Sequence, residues 1–211
     1  MAWETLDPDG PWSALADEIV ALARRAFIDA SAGVLREFFD PDWRPAPGED
    51  GRLVEPGHQF EWAWLLTRWS RSRGDDALMA DVHRLYATGG RGVSAGSGVT
   101  IDALNDDLSV RSRQARLWPQ TERRKRALSP GEEANAPPAR MEFLRDADQA
   151  LAALTRYLEP SGLWRDKLQP DESFVPEPSP ASSLYHIMVA CEQLQDVFDR
   201  LPGWLEEGDG R

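Results

Sequence analysis

A ten-residue stretch that leaves almost no polar side on a helix constrains this chain more than any other feature. In FEWAWLLTRW, the apolar residues Phe60, Trp62, Trp64, Leu65, Leu66 and Trp69 surround the axis of any helix they form. A surface helix keeps one polar face, and this one does not. The stretch therefore predicts a helix buried on most sides, which requires a larger helical assembly around it. Pro56-Gly57 just before it suits a helix start.

The rest of the chain supplies that assembly. Gly10-Pro11 opens a helix along which Leu15, Ile19, Leu22 and Ala26 recur at helical spacing, ending near Gly33. Residues 40 to 57, rich in proline and glycine, read as a long loop. After Gly74-Asp75-Asp76, Leu78, Val82, Leu85 and Tyr86 support another helix that stops at Gly89-Gly90. Residues 92 to 110 read as an irregular loop with a short hairpin. A helix over 119 to 128 is followed by two breaks, Ser129-Pro130-Gly131 and Ala136-Pro137-Pro138. Met141, Leu144, Ala147, Leu151, Leu154 and Leu158 then form a stripe. Residues 162 to 177 read as two short strands or an extended loop. Ser182 or Ser183 caps a last helix with Leu184, Ile187, Cys191, Leu194, Phe198 and Leu201 on one face. The reading is all-α: about six helices, almost no strands, one domain over the 211 residues, and helix pairs stacked side by side.

Charge and composition narrow the function classes. Thirty-six acidic against twenty-four basic residues give a net charge of -12, which repels phosphate backbones and anionic lipid. Neither nucleic acid nor a membrane is an expected partner, and no stretch approaches the ~20 apolar residues of a span. The single cysteine, Cys191, lies in an apolar stretch and reads as a buried small hydrophobe in a reducing, cytoplasmic setting. His-x-x-x-His and CxxC are absent, so no metal is expected; GxGxxG, the phosphate-binding loop and the GxSxG elbow are absent too.

Three histidines are available for acid/base chemistry, and their settings differ. His83, in DVHRLY, reads as a surface side chain. His58 follows Pro56-Gly57 at a helix start, and Glu61 lies on the same face within reach. Spacing alone allows two readings: a carboxylate that orients and charges the imidazole, or a polar pair satisfying itself. His186, in SSLYHIM, falls a quarter turn off its helix's apolar stripe, placed for a second surface. Two imidazoles suit proton transfer at a sugar carbon, since one is basic and the other acidic near neutrality. In RLWPQTERR, Trp118 offers a stacking face with Gln120 and Glu122 beside it, or else anchors a loop. The run Arg123, Arg124, Lys125 and Arg126 holds a sugar phosphate or forms a solvated helix face, and the solvated face is favoured.

Three motifs in order resemble the N-acylglucosamine 2-epimerase family, which includes mannose isomerases, mannose-6-phosphate isomerase-like proteins and cellobiose 2-epimerases. GRLVEPGHQFEWAWLL is similar to its PGH-x-x-E-x-x-W-L-L helix, RLWPQTE to its Trp-x-x-x-Glu segment and ASSLYHI to its closing Tyr/Phe-His motif. The resemblance implies an (α/α)6 barrel with a sugar in a cleft at one end and no cofactor. It implies His58 and His186 as acid and base, and Arg52, Glu61, Trp118 and Glu122 as substrate-binding or pocket residues. Which imidazole is the base stays open. Ala181 stands where cellobiose-type members carry tryptophan, so the mannose or mannose 6-phosphate branch is the nearer one. The family's Asn-x-x-Met-His-x-x-Glu motif and early substrate arginine are missing, and about six helices stand against twelve. The expectation is thus the C-terminal half of a barrel: an inactive product, a half that meets a separate partner, or a homodimer. A non-catalytic carbohydrate-binding or interaction domain is the alternative.

Overall fold

The computed structural model describes the backbone of residues 2–127 and 137–206, and the side chains of 3–125 and 145–196. A helix forms in each expected segment, but the first, expected to reach Gly33, gives way after Phe27 to an antiparallel pair of short strands over 28–35. Trp12–Leu22 (α2) follows a short Ala2–Leu6 (α1) and runs into a wider turn, Ala23–Phe27. The buried helix is Pro56–Arg73 (α3), started by proline in its first turn and ended by Gly74 in the left-handed conformation. Between residues 56 and 70 only Arg68 is exposed, as the absence of a polar face requires. Met79–Arg91 (α4), Leu117–Ala127 (α5), Pro137–Thr155 (α6) and Ser182–Glu206 (α7) complete the set. Pro137 and Pro138, expected to break a helix, instead occupy the first turn of α6, where a missing N–H costs nothing. The expected break at Ser129-Pro130-Gly131 lies outside the described residues.

The helices pair in an alternating pattern. α3 packs on α4 and α5, and α5 packs on α6 and α7, so that α3, α5 and α7 are successive neighbours flanked by α4 and α6. One core joins Ala63 and Leu66 of α3 to Leu78, Val82 and Leu85. A second joins Leu117, Ala153, Leu154 and Tyr157. Strands are more numerous than expected, though each has two or three residues. Ile28–Asp29 (β1) pairs Val34–Leu35 (β2); Leu53–Val54 (β3), Ala103–Asn105 (β4) and Val110–Ser112 (β5) form a sheet; Ala115–Arg116 (β6) pairs Lys167–Leu168 (β7), all antiparallel. β4 and β5 are the hairpin expected within 92 to 110, and β7 lies in the segment read as short strands. β3 and β6 lead directly into α3 and α5, which fixes the start of each helix.

Three sequence expectations are corrected here. Arg123, Arg124 and Lys125 are buried rather than solvated, because α5 is enclosed by α3, α6 and α7; the side chain of Arg126 lies outside the described residues. Arg123 answers its burial with Asp146 and the Gly98 carbonyl. Cys191 is exposed, since α7 turns Ser183, His186, Ile187 and Ala190 inward and leaves Leu184, Met188 and Cys191 outward. Leu15 and Ile19 of α2 are likewise exposed. Among the described residues, no helix is long and apolar enough to cross a membrane.

Candidate active site

The first turns of α3, α5 and α7 meet at one end of the helical layer. A cleft of about 730 Å³ there is lined by His58, Arg116, Trp118, Asp166, Lys167, Ser183 and His186, with Glu177 and Pro178 at its rim. Trp118 stands between the two imidazoles, its ring centroid 4.7 Å from that of His58 and 5.6 Å from that of His186. This close approach explains the glycine before His58. A Cβ on Gly57 would lie 2.5 Å from Cη2 of Trp118, so only glycine lets the indole lie against the start of α3.

Each imidazole is held through Nδ1 by a carboxylate. His186 Nδ1 is 2.8 Å from Glu122 Oε1, and Glu122 is fully buried. His58 Nδ1 is 2.7 Å from Glu37 Oε2, with Glu55 Oε2 3.5 Å away. Glu37, not Glu61, is thus the residue that orients His58. The two possibilities left open by the spacing of His58 and Glu61 resolve into neither: Glu61 influences the imidazole by charge alone. Burial disfavours the imidazolium of His58, but the Glu37 hydrogen bond and the charges of Glu37, Glu55 and Glu61 outweigh it and raise the pKa. Burial and the nearby Glu122 charge push the Glu61 carboxyl up as well, while Lys125 and both imidazoles pull it down.

Glu37 escaped the sequence because nothing periodic marks it. The signal that leads to it is Gln59, next to His58. Its amide is fully buried and clamps Leu35, accepting from the Leu35 N–H and donating to the Leu35 carbonyl, each at 2.8 Å. That clamp fixes β2 against α3 and carries Glu37, two residues on, to His58. Gln120 does the same in α5: it accepts from the Thr100 N–H and donates to the Thr100 carbonyl, also at 2.8 Å. Gln120 is therefore spent on backbone rather than offered to a ligand.

Arg52 does not line the cleft. Its guanidinium is 3.1 Å from Asp106 and 3.2 Å from Asp107, and ties the loop ahead of α3 to the β4–β5 hairpin. The cleft arginine is instead Arg116, bound to Asp102 and Glu55 at 3.1 Å and stacked over Trp118 at 5.5 Å. Sequence reasoning passed it over because it stands in a strand of two residues. His83 lies on α4, outside the cleft lining. Donor atoms of Glu37, Glu55 and His58 lie within 4.8 Å of one another, close enough for a metal ion. The His58–Glu37 and Arg116–Glu55 contacts already account for all three groups.

The paired helices with a polar cleft at one end share their fold with solved epimerases of the α/α-barrel type. The solved structure of cellobiose 2-epimerase from Bacillus thermoamylovorans B4167 superposes with a TM-score of 0.74, at 15% identity over 90% of this chain and 48% of that one. Cellobiose 2-epimerase from Spirochaeta thermophila DSM 6192 gives a TM-score of 0.70 at 20% identity, covering 88% of this chain and 46% of that one. A D-mannose isomerase gives 0.64 at 18%, covering 86% and 50%. These likenesses show the fold. The chain belongs to the N-acylglucosamine 2-epimerase (GlcNAc 2-epimerase) family, whose model matches residues 1–190. It is 49% identical over 198 residues to a mannose-6-phosphate isomerase of Rhizobium meliloti (strain 1021), covering 90% of this chain and 50% of the relative. The family is one of sugar isomerases and epimerases, and the chain spans about half the length of the relatives it matches.

Proposed function

We propose that the chain carries the acid/base half of a sugar isomerase or 2-epimerase acting on mannose or mannose 6-phosphate through an enediolate. The observation that carries this reading is the pair of imidazoles flanking Trp118, each tied through Nδ1 to a carboxylate. That arrangement leaves each Nε2 as the nitrogen available to a substrate in the cleft.

Once the sugar ring is open, a base removes the C2 proton, which the C1 carbonyl makes acidic. A proton returned at C1 gives the ketose, and one returned at C2 from the opposite face gives the epimer. The two imidazoles are unequal. His58 sees Glu37, Glu55 and Glu61, favours the imidazolium and serves as the acid. The carboxylate beside His186 is compensated by Lys125, so His186 serves as the base. The first turns of three helices face the cleft, and the positive ends of their dipoles favour the negative charge that develops on the enediolate. Trp118 offers its face to the sugar ring, and Arg116 and Lys167 offer hydrogen-bond donors. The name of the Rhizobium relative and the cations of the cleft together support mannose or its 6-phosphate.

The remaining helices of a closed barrel would cover the exposed apolar residues Leu15 and Ile19 on α2 and Leu184, Tyr185 and Met188 on α7. They belong either to the other half of the relatives' length or to a second copy of this chain. A cleft open on that side also fits a carbohydrate-binding domain without turnover. Incubation with mannose or mannose 6-phosphate in deuterated water, followed by NMR of the sugar, separates the two readings. Deuterium at C2 that His58→Asn or His186→Asn reduces by 100-fold or more, the range of acid/base contributions, supports catalysis. A folded chain that binds sugar without exchange refutes catalysis by these residues alone.

A further inference from the structure

Lys125 is an unusual residue to find with none of its surface exposed. It lies one helical turn beyond Glu122 on α5, and its Nζ is 2.5 Å from Glu122 Oε2, both side chains being completely buried. On its other side the ammonium sits 4.4 Å from the centroid of Trp64, over the ring face. A buried ion pair adds little stability over a well-packed apolar pair of the same volume, because desolvating both charges offsets their attraction. Helix packing alone thus gives no reason for Lys125. The contact of Glu122 with His186 does.

We propose that Lys125 is a positioning residue that sets the charge and tautomer of His186 through Glu122. The Lys125 ammonium and Glu122 Oε2 form an ion pair without hydrogen-bond geometry, and the adjacent positive charge keeps Glu122 as the carboxylate. The other oxygen, Oε1, lies 2.8 Å from His186 Nδ1 and accepts the Nδ1 proton. That proton assignment leaves Nε2 with its lone pair toward the cleft, as a base requires. Lys125 also supplies the positive charge that a buried carboxylate demands. Without it, His186 itself would have to become the imidazolium that neutralises Glu122, and a protonated imidazole accepts nothing.

The charged surroundings agree with this division. Glu61 on α3 is influenced by Glu122, Lys125, His58 and His186, and Tyr185 on α7 by Glu61 and Glu122. Glu122 is in contact with Lys125 and His186, and Glu61 acts on the same groups and on His58 through charge. Glu61 interacts by charge with both imidazoles, whereas Glu37 and Glu55 lie beside His58 alone, and Lys125 balances the one carboxylate in contact with His186.

The proposal rests on the acid/base reading of the cleft, yet its test does not use turnover. Proton-detected nitrogen spectra of the ¹⁵N-histidine-labelled chain report the tautomer and titration of each of the three imidazoles, with His83 as internal reference. The wild-type protein is expected to show His186 protonated at Nδ1 and bare at Nε2 above its titration midpoint. In Lys125→Met the midpoint of His186 is expected to rise by about one unit or more, the usual effect of an uncompensated carboxylate in contact. The double variant Lys125→Met/Glu122→Gln, with both charges removed, is expected to return it toward the wild-type value. A Lys125→Met chain that fails to fold while the double variant folds also supports the pairing, since only the Glu122 charge then separates the two. A wild-type His186 carrying its proton on Nε2, or an unchanged midpoint in folded Lys125→Met, overturns the proposal. Absence of sugar exchange would remove the catalytic reading and leave these spectra standing.

Discussion

Replacing Gly57 with alanine tests the packing on which the cleft depends. The added methyl would meet Cη2 and Cζ3 of Trp118 at 2.5 and 2.6 Å, and Cβ of Pro119 at 3.1 Å. Carbon atoms pack at about 3.5 Å or more, so the indole must retreat by roughly 1 Å. Pro119 blocks one direction, and His58 and His186 flank the ring. Overpacking of this kind costs about 1–3 kcal/mol. Alanine recovers up to about 1 kcal/mol of helix propensity, less in a first turn. The net expectation is a loss of about 1–2 kcal/mol, or a few degrees in Tm for a chain of this size. Gly90 provides the control: it lies in α4 with nothing within 4 Å of an added Cβ, so Gly90→Ala is expected to gain about 0.5–1 kcal/mol. Urea denaturation of both variants decides the matter. If Gly57→Ala is stabilised as much as Gly90→Ala, the indole does not lie against α3 as described, and the argument for the Pro-Gly-His segment fails. If catalysis takes place in the cleft, a 1 Å shift of Trp118 should also cost about 100-fold in C2 exchange.

Further expectations follow from the groups around His58. Its pKa is raised in the folded chain, so the associated stability is fully present below the unfolded value of about 6.5 and is lost as pH rises through the folded value. Glu37→Gln should therefore destabilise more at pH 5.5 than at pH 8.5. The difference is on the order of 1 kcal/mol, because the imidazole is partly exposed to solvent. Equal losses at both pH values would refute the pairing. Gln59→Leu leaves the buried N–H and carbonyl of Leu35 without the clamp and should cost about 2–4 kcal/mol in urea denaturation. It should also lower the titration midpoint of His58, since Glu37 follows two residues after the clamped Leu35; a midpoint unchanged in the folded variant would separate the clamp from the site.

Helix periodicity and helix-start residues were legible in the chain because they are local. The absence of a polar face on α3 required that it be buried, and Pro56 and Gly74 mark its two ends. The motifs around His58, Trp118 and His186 pointed to one family and to one cleft, and the side chains do line it. Some inferences about which side of an element faces its neighbours held, as for Leu78, Val82 and Leu85, and others failed. The basic run on α5 reads as solvated because four cations in a row usually are; only packing against α3, α6 and α7 buries Arg123, Arg124 and Lys125 and turns Lys125 toward Glu122. The same reasoning put Cys191 inside, when the inward face of α7 is the one bearing His186 and Ala190.

The partner of His58 illustrates the division. Spacing proposed Glu61, since a helix brings residues three apart to one side. Glu37 lies two residues beyond the strand Val34–Leu35, and it reaches the imidazole because the Gln59 amide pins that strand to α3. Arg116 entered the cleft in place of Arg52 for a similar reason: β6 delivers it to the start of α5, while the acidic loop at Asp106 and Asp107 holds Arg52 away. Local sequence set the helices and the types of group at their starts, because propensity and periodicity act between near neighbours. Tertiary structure decided which carboxylate holds each imidazole and which cation balances it, because those contacts join segments far apart in the chain whose meeting no local pattern encodes.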